Sequence, residues 1–75
     1  SSLWKEKFVQ IRIDDKGDIT LIPREGRERF IIGQPYEIED KARKMEMYYT
    51  HILPEKGEKK YRTVDLRFKG QIVCR

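Results

Sequence analysis

The chain has 75 residues and a net charge of +4, with 17 Lys or Arg against 13 Asp or Glu; 40% of its residues are charged and 37% hydrophobic. That length allows one small domain with a limited buried core, and the periodic clustering of its apolar residues marks it as folded rather than disordered. No apolar run approaches the roughly 20 residues of a membrane span, no signal-peptide pattern is visible, and a single cysteine, Cys74, excludes an internal disulfide and a multi-cysteine metal site.

The chain starts at Ser1-Ser2-Leu3 without an initiator Met, so a fragment of a larger protein is expected. Ser1 to Lys7 reads as the tail of a helix, with Ser2 as its cap and Glu6 in its first turn. From Phe8 to Asp14, Val9, Ile11 and Ile13 alternate with Gln10 and Arg12, the period of a half-buried strand. Asp14-Asp15-Lys16-Gly17-Asp18 is a turn whose glycine accepts positive φ. Ile19 to Pro23 returns as a second strand, Glu25-Gly26-Arg27 turns again, and Arg29 to Ile32 makes a third strand closed by Gly33. The three form an antiparallel meander.

The period then lengthens. Ile38, Ala42, Met45, Tyr49, Ile52 and Leu53 recur at three- and four-residue spacing and predict one apolar stripe on a helix. Glu37, Glu39 and Asp40 suit its positive end, Pro35 its entry, and Pro54 predicts a stop near Leu53. Glu55 to Lys60 reads as a charged loop around Gly57. Two strands finish the chain. In the first, Val64, Leu66 and Phe68 alternate with Thr63, Asp65 and Arg67, with Phe68 facing the core; after a Lys69-Gly70 turn, Gln71 to Arg75 forms the second. The predicted fold class is α+β, βββαββ: a mainly antiparallel sheet with one helix packed on one face.

The last strand ends the sequence in strand register, which predicts a position at the sheet edge. An edge offers unpaired backbone N–H and C=O groups to an extended peptide. Residues 56–75 also hold seven Lys or Arg against two acids; on charge alone this reads first as a solvated loop with edge lysines that discourage aggregation, and second as a patch for nucleic acid, anionic lipid or an acidic protein segment.

Catalytic chemistry finds little support. His51 has no ligand or relay partner at usable spacing, and Ser1 and Ser2 leave no serine nucleophile. Asp14, Asp15 and Asp18 lack the glutamate and spacing of a calcium loop. Neither an enzyme, nor a metal site, nor a cofactor is predicted. Tyr36, Tyr48, Tyr49 and Tyr61 lack the glycine-spaced aromatic pattern of an RNA-recognition sheet, so packing is their expected role, with Tyr48 flanking the helix stripe. Cys74 reads as a packing residue.

Taken in order, several segments resemble the β domain of FtsQ/DivIB-type bacterial cell division proteins. They are Ile11-Arg12-Ile13-Asp14, Gly17-Asp18-Ile19-Thr20-Leu21-Ile22-Pro23, Phe30-Ile31-Ile32-Gly33, the helix with Lys41, Met45, Tyr48 and Tyr49, and Val64-Asp65-Leu66-Arg67-Phe68 within Tyr61 to Phe68. The resemblance runs from about Phe8 to Arg75. It implies a non-enzymatic scaffold whose full-length protein is anchored in the inner membrane by one helix, followed on the periplasmic side by a POTRA domain and then this domain. It implies FtsB- and FtsL-type division proteins as partners, recruited by strand addition beside the last strand. Carried onto this chain, the docking set is Gln71, Ile72, Val73, Cys74 and Arg75, with Arg67 pairing an acidic partner side chain and Phe68 as the adjacent aromatic. Arg75 stands roughly where family members often carry an aromatic. A proline at Ile72 or Val73 is expected to weaken docking more than alanine does. The rival reading is a basic nucleic-acid-binding module using Lys56, Lys59 and Lys60.

Overall fold

Five strands make one sheet in the order β1-β2-β3-β4-β5: β1 is Phe8–Ile13, β2 Ile19–Pro23, β3 Arg29–Gly33, β4 Thr63–Asp65 and β5 Val73–Cys74. The computed structural model describes residues 6–56 and 61–75, apart from the side chains of Val9 and Lys56. The expected N-terminal helix lies mostly outside these residues, although Glu6 and Lys7 are helical. β1, β2 and β3 pair antiparallel as the meander predicts. Asp14 closes the first turn, its backbone N–H donating to Asp18 O at 3.0 Å and its carboxylate accepting from the N–H groups of Lys16 and Asp18. β3 then pairs parallel with β4, which a helical crossover makes possible, and β4 pairs antiparallel with β5.

Cross-strand partners share a face, so the pairing register assigns every side chain to one side of the sheet. Ile11, Leu21, Phe30, Val64 and Cys74 form one row across all five strands, and that side packs on the helix. Arg12, Thr20, Ile31, Asp65 and Val73 form a row on the other side. Phe30 is completely buried at the centre, edge-on to Phe8 and Tyr48 with ring centroids 5.3 Å away in each case. Ile11 and Ile13, expected on a half-buried face, are 64% and 66% exposed. They sit on the outermost strand, beyond the reach of the helix.

The helix α1, Ile38–Met47, passes into a π turn at Tyr48–Ile52 and then a short α2, Leu53–Lys56. Its buried stripe is rotated from the expected one: Lys41, Met45 and Tyr48 point inward, while Ala42 is half-buried and Ile38 exposed. Tyr48 is therefore core, not flank. Its hydroxyl donates to Glu28 Oε2 at 2.6 Å, and Glu28, in the β2–β3 connection, is itself buried. Burial, reinforced by the Glu28 carboxylate, pushes the Tyr48 hydroxyl pKa up, so the phenol stays a donor. Lys41 buries its stem and donates to Gln34 O at 3.0 Å, with its ammonium 4.7 Å from the centre of the Tyr36 ring. The π turn adds one residue to the spiral and brings Tyr49, Ile52 and Leu53 back against the core. The expected stop at Leu53 does not occur, because Pro54 falls in the first turn of α2, where its missing N–H is not required.

Tyr48→Phe keeps the ring but withdraws the only bond it makes to Glu28, leaving a buried carboxylate short of a donor. A loss of about 2 kcal/mol is expected, read as a lower urea midpoint with an unchanged slope.

Candidate partner-docking edge

The C-terminal hairpin is shorter than its sequence pattern. β4 ends at Asp65 and β5 holds only Val73 and Cys74, although Leu66 N–H still donates to Ile31 O at 3.0 Å. Asp65 itself stops the strand. Its Oδ1 accepts from the Arg67 backbone N–H at 3.1 Å, which bends the chain off the sheet. Phe68 thereby leaves the phase of Val64 and Leu66 and is 42% exposed rather than core-facing. The turn closes with Gln71 N–H donating to Phe68 O at 3.3 Å, and Gly70 supplies φ +69°.

β5 occupies the edge of the sheet. Thr63 and Arg75 exchange both backbone bonds, at 3.1 and 3.0 Å, a mutual antiparallel pair. The same pattern recurs two residues on, at Asp65 and Val73. Cys74, between these two pairs, stands opposite Val64, and Ile72 lies just before the strand. Their side chains share the helix face with Val64, whereas Val73 and Arg75 share the opposite face with Asp65.

Two cations pin the loop that leads into β5, one on each side of the sheet. On the helix-free side Arg67 grips Asp65 through Nε at 2.9 Å and Nη2 at 2.7 Å. Asp65 is fully buried, and Arg67's hydrogen bonds hold its carboxyl below the usual carboxylate range. The Arg67 stem lies across Gly33, where a Cβ would come within 2.9 Å of it, and its guanidinium carbon sits 5.5 Å from the centre of the Phe68 ring. Arg67 was expected to meet a partner's acid. Two of its five N–H donors instead serve Asp65, so any partner meets a guanidinium already oriented.

On the helix side Lys44 Nζ donates to Leu66 O at 3.3 Å and, by a short bond, to Phe68 O, and lies 3.5 Å from Asp40 Oδ2. Beside it an open groove of about 370 Å³ separates α1 from the terminal hairpin, lined by Asp40, Arg43, Lys44, Met47, Gly70, Gln71 and Ile72. Met47 is 52% exposed there. Arg62 and Arg75 are exposed at the far end of the hairpin, where Arg62 N–H donates to Arg75 O. Gln71 is exposed, and Ile72, Val73 and Cys74 are half-buried.

Sequence reasoning assigned no role to Lys44, Asp40 or Met47 at this edge. Lys44 lies 22 residues from Leu66, beyond any local pattern. The Asp65–Arg67 clip had a signal, an acid and a base two apart on one strand face. Lys59 and Lys60, with the loop around Gly57, lie outside the described residues, as does the Lys56 side chain. Tyr48 and Tyr49 are engaged in the aromatic core, which removes them from any base-stacking platform. Among the described residues no group of three His, Cys, Asp or Glu is placed to hold a metal, and no helix is long and apolar enough to cross a membrane.

Compared with known proteins, residues 1–75 match the family model described as FtsQ/DivIB, C-terminal related. No curated protein and no solved structure matches the chain.

Proposed function

The chain belongs to the FtsQ/DivIB C-terminal related family, a family of bacterial cell division scaffolds, and from that premise we propose that it recruits an FtsB- or FtsL-type partner by strand addition at β5. The observation that carries this reading is the position of β5 at a sheet edge flanked by exposed Arg62, Arg67 and Arg75. Main-chain bonds supply register and much of the affinity. Arg67 and Arg75 favour a partner strand with acidic side chains on the helix-free side, and all three arginines steer it in from solution. The groove beside Met47 and Ile72 receives side chains of the added strand that point to the helix side. Phe68 and Gln71 border the entry to the edge. In this reading the work is done on the periplasmic side of the inner membrane, by one small domain of a membrane-anchored protein, without catalysis or cofactor.

The test is a heteronuclear NMR titration of the domain with the strand-forming segment of the FtsB-type protein from the same organism, at two salt concentrations. Shifts gathered on Arg67–Arg75, weakening modestly with salt, are expected. No shifts in that segment, or a response to a single-stranded oligonucleotide that falls steeply with salt, overturns the reading in favour of a nucleic-acid module.

A further inference from the structure

We propose that Lys44 is a positioning residue for docking: a latch from α1 that fixes the approach to β5 by holding the loop before it. This inference rests on the strand-addition reading and adds to it a residue whose role is to order the edge beforehand.

β5 has only two residues in the ladder, so little of its order comes from its own pairing. What precedes it is a loop that runs from buried Leu66, still bonded to Ile31 O, to exposed Phe68. Lys44 collects the Leu66 and Phe68 carbonyls on one ammonium. Two of the ammonium's three donors serve these carbonyls, and Asp40, one helical turn earlier on the same helix, forms an ion pair with it at 3.5 Å. Its side chain is only 11% exposed, so the charge is largely withdrawn from water, bonded to the two carbonyls with Asp40 beside it. This burial separates Lys44 from the outward Arg62 and Arg75, which are exposed.

The opposite side of the loop is held independently by the Arg67–Asp65 pair. The two clamps close on successive residues from opposite faces, and the chain between them has one course into the Gly70 turn. Affinity in strand addition depends on how much ordering is left to be done at the moment of contact. The latch does that ordering in advance, and it ties the register of the edge to the seating of α1.

Lys44→Met keeps the aliphatic stem and removes the donors. In amide exchange the Arg75 N–H, bonded to Thr63 O, is expected to lose about tenfold of its protection, while the Arg29 N–H, bonded to Arg62 O within the β3–β4 seam, keeps its own. Binding of the FtsB-type segment is expected to weaken about tenfold, and Lys44→Arg, which restores donors, to recover most of that loss. Equal loss of protection at Arg29 and Arg75 makes Lys44 a general stabiliser and overturns the proposal. So does unchanged exchange at Arg75. If the wild-type domain fails to bind the segment, strand addition at β5 falls, while the exchange contrast still decides whether Lys44 orders the edge.

Discussion

Ile72→Pro leaves the domain folded but reduces binding of an added strand by about tenfold or more, whereas Val73→Pro damages the fold itself. The two positions are neighbours, and the sequence alone treats them alike. The pairing of Thr63 with Arg75 and of Asp65 with Val73 turns the Val73 backbone inward to β4, whereas Ile72 lies just before β5, outside the ladder. A proline at Val73 therefore deletes a ladder bond that holds β5 to the sheet. At Ile72 it deletes a donor outside the ladder and also removes an apolar side chain from the groove beside Met47. Circular dichroism melts with a binding isotherm on each variant separate the cases. A folded Ile72→Pro domain that binds as tightly as wild type ends the strand-addition account.

Arg67→Met is the second large effect, and its size depends on pH. The substitution retains the stem over Gly33 but strands the Asp65 carboxylate, whose side chain is 1% exposed. Losing one partner of a fully buried pair costs about 3–5 kcal/mol. Arg67 is itself 48% exposed and Asp65 keeps the Arg67 backbone N–H, so a loss of about 2 kcal/mol at neutral pH is expected here. In the wild type the folded pKa of Asp65 lies below its ordinary 3.8. The stability this confers is fully present above that ordinary value and is lost as pH falls through the lower folded value. In the variant burial acts without the guanidinium and raises the Asp65 pKa, so protonation relieves the buried charge on acidification. Urea midpoints of the two proteins are thus expected to converge between pH 7 and pH 3. A gap that stays constant over that range shows that Asp65 ionisation is not its source.

The meander, its Asp14–Asp18 turn and the terminal position of the last strand were legible because each rests on neighbours in sequence: alternation, a glycine at positive φ, an acid that caps its own turn. The helix was legible in existence but not in phase. Counting apolar residues puts Ala42 inward and Tyr48 on the flank. The fold puts Lys41 and Tyr48 inward instead, because Gln34 and Glu28 supply their polar ends with partners brought in from other elements. Phe68 misled for a related reason, since the alternation through Val64 and Leu66 continues in sequence past the point where Asp65 captures Arg67 and ends the strand. The latch at Lys44 had no signature, as nothing in a run of alternating charges on a helix indicates which ammonium meets a distant carbonyl.

The parallel seam between β3 and β4 has a consequence for assembly. β5 is carried by β4, and β4 is seated by pairing Arg29 with Thr63 and Phe30 with Val64 across the whole intervening helix. The meander closes short loops, whereas this seam closes a long one and carries a larger entropy of closure. A half-built domain consequently has its first three strands and no docking edge. Under the strand-addition proposal, a partner that recognises backbone at β5 selects finished molecules, so that recruitment doubles as inspection of the recruit.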